Sequence, residues 1–140
     1  MLYDKILVAV DGSDPSRCAL SEAIRIAKVT GGTITLIHVY PLEPSQQLIS
    51  ATQQLNKYLK DNGKTVLANA EKTVEAEGLK ADGLLIEGDA AEQIVKTASE
   101  GKFDLIVIGA RGLSKLSGLI LGSVSQGVVK NAPCPVLITR

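Results

Sequence analysis

The stretch LIVIGARGLSKLSGLILGSVSQGVV, Leu105 to Val129, decides how this chain folds. It opens on Leu105–Ile108, four apolar residues in a row. A run without alternation fits a strand buried on both faces, as in a parallel sheet. The run stops at Gly109. Gly112, Gly118 and Gly122 follow with four serines, and apolar residues at helical spacing resume only after Gly122. Strand, glycine-rich loop and helix is the arrangement that holds phosphate. Glycine lets the backbone approach an anion, and the unpaired N–H groups and dipole of a helix start favour negative charge. Ser123 and Ser125 offer hydroxyl donors, and Arg111 and Lys115 place positive charge in the same loop. A lone pair of glycines after a strand is most often only a turn.

Outward from this stretch, strands and helices alternate. Lys5–Val10 (KILVAV) reads as a strand that ends in the turn Asp11-Gly12-Ser13. Ser13 is a helix N-cap, with Pro15 in the first turn, and Gly31-Gly32 stops that helix. Thr33–Val39 (TITLIHV) is rich in β-branched residues and reads as the second strand. The segment from about 45 to 78 reads as helix, with Leu48, Leu55, Leu59, Leu67, Ala70 and Val74 on one face and a weak point at Asn62-Gly63 where it kinks or splits. Leu84–Ile86 centres the third strand. Asp89 with Glu92 resembles a capping box, and the helix it starts turns Ile94, Val95 and Ala98 inward until Gly101. After the fourth strand, Asp104–Ile108, and the loop, a helix covers about Ser123–Asn131. A last strand, Val136–Thr139, is entered through Pro133 and Pro135. The pattern predicts one α/β domain over residues 1–140, a doubly wound, Rossmann-like parallel sheet with helices on both faces.

Composition narrows the function. At 140 residues with 45% hydrophobic and 21% charged residues, the chain can bury one core. Aromatics make up 3%, so Val, Ile, Leu and Ala must fill that core. Fifteen basic residues balance fifteen acidic ones, without a basic tract or aromatic platform, which argues against nucleic acid as a partner. No apolar run is long enough to cross a bilayer and the N-terminus carries no leader pattern, so the expectation is a cytoplasmic protein that does not bind membrane. Cys18 and Cys134 form no CxxC pair and read as reduced packing residues.

The spacing Gly109-x2-Gly112-x9-Gly122-Ser123 resembles the ATP-binding pattern of the universal stress protein family. The likeness extends along the chain: KILVAVDGS at Lys5–Ser13, LIHV at Leu36–Val39, EGDAAEQI at Glu87–Ile94 and APCPVLIT at Ala132–Thr139. The resemblance implies strand order 3-2-1-4-5, which sets Asp11 and Gly109 on either side of a crevice at the C-terminal ends of strands 1 and 4. It implies an adenine nucleotide, ATP with AMP or cyclic AMP left open; Mg²⁺ is expected to come with the phosphates rather than from a protein cage. The residues it implicates are Ala9, Asp11, Val39, Gly109, Arg111, Gly112, Gly122, Ser123, Val124 and Ser125. Asp11 would face the adenosine end, and the Val39 backbone would pair with adenine. Read alone, Asp11 is a turn or cap residue, Val39 one more strand residue, and His38 a strand residue with a satisfied ring.

The resemblance also implies a regulatory role in stress. An ATPase or self-phosphorylating protein, with Ser123 or Ser125 receiving phosphate, is the alternative. It lacks a GxxxxGK[ST] motif and an identifiable base, so turnover is expected to be slow or absent. Glu87 and Asp89 could act as an acid–base pair, but capping is the better reading of Asp89. A receiver or flavin module would need an acidic cluster or more aromatics. A homodimer is expected through Val136–Thr139, an apolar sheet edge with no following helix to cover it.

Overall fold

In the computed structural model, residues 2–41, 49–111 and 121–140 are described. Five parallel strands form one sheet in the order β3-β2-β1-β4-β5, the predicted order. The elements are β1 (Lys5–Ala9), α1 (Asp14–Thr30), β2 (Thr33–Tyr40), α2 (Ile49–Ala76), β3 (Ala81–Glu87), α3 (Ala90–Glu100), β4 (Leu105–Gly109), α4 (Ser123–Asn131) and β5 (Val136–Thr139).

Alternation along the strands makes two cores. Ile6, Val8, Ile34, Leu36, Leu105 and Val107 pack under Leu20, Ala23 and Ile24 of α1 and Leu67, Ala70 and Val74 of α2. Leu7, Ile37, Ile106 and Ile108 face the other way, under Ile94 and Ala98 of α3 and Val128 of α4. The helices therefore cover both faces, and β1 lies between β2 and β4. Each buried Leu, Ile or Val contributes about 1.5–3 kcal/mol of transfer free energy, so these aliphatic layers account for the fold without aromatics.

The helix starts follow their capping residues. The Ser13 side chain accepts from the Ser16 N–H at 3.3 Å, and Gly31 ends α1 in the left-handed conformation. The Asp89 side chain accepts from the Glu92 N–H at 3.0 Å, which makes it the N-cap of α3.

Several expectations are corrected. α2 runs unbroken through Asn62-Gly63. An ideal Cβ on Gly63 would lie 2.6 Å from Leu85 Cδ1 and 2.7 Å from His38 Cδ2, so the glycine brings the helix close to the sheet instead of breaking it. Leu55 is exposed, Leu59 and Val95 are only partly buried, and Leu48 lies outside the described residues. Cys18 is exposed and packs no core. Cys134 does pack against the α3/α4 side, where burial first and the Asp104 charge second raise its thiol pKa.

Candidate functional site

A cavity of about 300 Å³ opens at the C-terminal ends of β1 and β4, on the α3/α4 face. This is the topological switch point, where the chain crosses from one side of β1 to the other and adjacent loops diverge. Its floor is apolar, made by Ala9, Ile37, Val39, Ile94 and Ile108. Asp11 stands at the β1 rim; Gly109, Arg111, Gly122, Ser123, Val124 and Ser125 form the β4–α4 rim. Every nominated residue except Gly112 thus lines one cavity. Gly112, with Lys115, lies outside the described residues.

The α4 start differs from those of α1 and α3. Gly122 is its N-cap, and no side chain caps it. The Gly122 N–H donates to the Ala110 carbonyl at 2.6 Å, which turns the chain back over the end of β4. The N–H groups of Ser123, Val124 and Ser125 then have no acceptor among the described residues. Donors at a helix start carry partial positive charge and need an acceptor from solvent or ligand.

Gly109 and Gly122 serve different ends. An ideal Cβ at Gly109 would sit 2.7 Å from Pro15 Cβ and 2.8 Å from the Pro15 carbonyl carbon. Its bareness lets the start of α1 pack on the end of β4. At Gly122 the nearest atom to such a Cβ is the Ala110 oxygen at 3.3 Å, a tight contact that asks the neighbour to give by only a few tenths of an ångström, less than Pro15 would have to yield at Gly109.

The Ser125 hydroxyl is not the free donor that its sequence position suggested. Ser125 is buried, and its Oγ lies 2.7 Å from the Ala110 oxygen and 3.0 Å from the Gly122 oxygen. The hydroxyl proton is spent on tying α4 to β4, while Ser123 remains exposed at the rim. Asp11 plays the turn role: its Oδ1 accepts from the Ser13 N–H at 2.9 Å and from the Ser13 hydroxyl. Oδ2 has no partner among the described residues and stays available to the cavity.

Sequence reasoning did not single out Ser16 and Ala90, which also line the cavity. Ser16 Oγ accepts from the Asp11 N–H at 3.0 Å and so fixes the β1 rim. A serine in the first turn of a capped helix is the signal that could have found it. His38 is buried behind the site, its Nδ1 2.8 Å from the Val10 carbonyl oxygen.

Comparison with known proteins agrees with this fold. The universal stress protein family model matches residues 2–140. A universal stress protein of Methanocaldococcus jannaschii is 38% identical over 99% of this chain and 83% of its own. One of Thermus aquaticus is 38% identical over 99% of this chain and all of its own. Among solved structures, the universal stress protein UspA of Lactobacillus plantarum superposes with a TM-score of 0.91 at 26% identity, covering 100% of this chain and 99% of that one. A universal stress protein solved in complex with cAMP gives 0.78 at 27% identity over 100% and 99%. The Archaeoglobus fulgidus protein in complex with dAMP gives 0.74 at 26% over the full length of both. A sheet order, two helix layers and a whole-length sequence match agree, and the chain belongs to the universal stress protein family.

Proposed function

We propose that this stress-response protein binds ATP at the switch-point cavity as a regulatory ligand. One observation carries the reading: the uncapped start of α4 leaves three N–H groups without an acceptor among the described residues, at the rim of a cavity whose floor is apolar. The phosphates would rest on the Gly109–Ser125 loop, held by the N–H groups of Ser123, Val124 and Ser125, the Ser123 hydroxyl and Arg111. The base would lie on Ala9, Ile37 and Val39, with Asp11 Oδ2 toward the ribose. A carboxylate belongs at that end because it would repel phosphate. The relatives solved with cAMP and dAMP support the adenosine half of the reading. The donor set fits the group, since backbone N–H groups and one guanidinium match a polyanion while aliphatic side chains match a purine face. Mg²⁺ would enter on the phosphate oxygens rather than in a protein cage.

The residues favour holding the nucleotide over splitting it. Among the described residues Asp11 is the one carboxylate that lines the cavity, and its Oδ1 is engaged in the turn. We further propose a cytoplasmic homodimer joined through β5, its regulatory output set by the bound nucleotide.

Titration calorimetry tests the site. The wild type should bind ATP with a Kd in the range of about 1–100 μM, more weakly once Mg²⁺ is chelated. Gly122→Val should weaken binding at least about tenfold, since a branched side chain would enter the phosphate path. Equal affinities would show that the phosphates lie elsewhere, and a wild type that binds no adenine nucleotide would end the reading. Phosphate release in the same samples should stay below about one turnover per second, and a faster steady rate would make the protein an ATPase.

A further inference from the structure

We propose that His38 is a positioning residue that frees the Val39 N–H to read the base, an inference that rests on the nucleotide reading above. In a parallel ladder the N–H and C=O of one residue point to the same neighbour, and the next residue's point to the other. The Val10 N–H donates to the Ile37 carbonyl at 2.9 Å, so Ile37 faces β1. The Gly88 N–H donates to the Tyr40 carbonyl at 2.9 Å, so Tyr40 faces β3. Val39 therefore faces the β1 side.

If the ladder ran on, its next bond would take the Val39 N–H to the Val10 carbonyl. That carbonyl is occupied: His38 Nδ1 lies 2.8 Å from it. A carbonyl only accepts, so Nδ1 carries the proton. The ring is held in place from behind. α2 approaches so closely that an ideal Cβ on Gly63 would be 2.7 Å from His38 Cδ2 and 3.3 Å from Nε2. The β1–β2 ladder thus ends at Val10, and the N–H and C=O of Val39 have no partner among the described residues. Val39 lines the cavity.

One free donor beside one free acceptor on an extended backbone matches the edge of adenine. Adenine N1 accepts from the Val39 N–H, and its 6-amino group donates to the Val39 carbonyl. Hypoxanthine inverts both, with a donor at N1 and an oxygen at C6. The histidine, through Val10, therefore helps set base selectivity without touching the ligand.

The test combines amide hydrogen exchange on the ligand-free protein with calorimetry against ATP and ITP. His38→Leu removes the donor and returns the Val10 carbonyl to the ladder. Exchange at the Val39 amide should then slow about tenfold, the effect of one regained hydrogen bond, and the preference for ATP over ITP should fall about as much. His38→Asn, whose Nδ2 stands where Nδ1 stands, should restore both values. His38→Phe keeps the ring's shape without a donor and decides the question should the Leu variant not fold. The proposal is overturned by unchanged Val39 exchange in the donor-less variant, by equal loss for ATP and ITP, or by an Asn variant no better than Leu. A wild type that binds neither nucleotide would end the functional reading, and the Val39 exchange rates would still decide what His38 does to the ladder.

Discussion

At the scale of the residue, two glycines of one motif separate into two physical tasks. Gly109 is bare because Pro15 leaves no room: an added Cβ would meet the proline's own backbone at 2.8 Å, and backbone cannot swing aside. Gly109→Ala should cost about 1–3 kcal/mol, the usual range for overpacking a filled site. Gly122 already has an ordinary backbone, φ −65° and ψ 163°, and its neighbours start at 3.3 Å. Gly122→Ala should therefore cost less than about 1 kcal/mol of stability, while larger side chains there act on the ligand. Chemical denaturation of both variants checks the split, and a Gly109→Ala protein as stable as wild type would show that α1 can move off β4. Reduced affinity in Gly109→Ala would follow from the shifted rim and not from a lost ligand contact.

Among the elements, α4 shows how one polar group serves the fold while its neighbours serve the site. The Ser125 hydroxyl bridges the end of β4 and the start of α4 through the Ala110 and Gly122 carbonyls. Ser125→Ala should lower stability by about 1 kcal/mol, one buried hydrogen bond, and should change ATP affinity less than about twofold because the Ser125 N–H stays in place. A variant of full stability that no longer binds ATP would mean that the hydroxyl leaves Ala110 for the phosphate. The elements themselves were largely legible in the chain. Four- and five-residue apolar runs, Ser13, Asp89 and the Gly31-Gly32 stop marked strands and helix ends, and alternation with helices implied a parallel sheet. The misreadings have one cause: tertiary contact decides what local pattern cannot. Asn62-Gly63 looks like a break until α2 is seen resting on His38 and Leu85. Ser125 looks like a ligand until its distance to Ala110 is known. Leu55 keeps helical spacing with the core face yet is exposed. Cys18 follows the same logic: its size suits a core, but it is exposed on α1 while Ala19, Leu20 and Ala23 are the residues that helix buries. The strand order and the assignment of Val39 to the base came from family resemblance, because no local pattern records which strands become neighbours.

At the scale of the whole molecule, the outer edge of β5 decides assembly: among the described residues β5 pairs with β4 alone. Its polarity along the strand can be read from the bonds that close its inner side. The Ile106 N–H donates to the Pro135 carbonyl at 3.0 Å, and the Ala110 N–H donates to the Thr139 carbonyl at 2.6 Å. Pro135, Leu137 and Thr139 therefore face β4, and by alternation Val136 and Ile138 turn their N–H and C=O groups outward. An apolar strand with free backbone groups invites a second strand, and two-fold antiparallel pairing with its own copy satisfies both edges at once. This also says which substitution tests the pairing. Leu137→Pro would remove a donor to β4 and damage the chain's own sheet, so loss of dimer there would be ambiguous. Ile138→Pro removes an outward N–H and leaves the inner ladder intact, a position where an edge strand tolerates proline. Sedimentation of the wild type at micromolar concentration should give about twice the chain mass of 14.7 kDa. Ile138→Pro should sediment as a folded monomer, with its circular dichroism unchanged. A wild type that remains monomeric at high concentration, or an Ile138→Pro protein that still dimerises, would show that copies of this chain do not meet through β5.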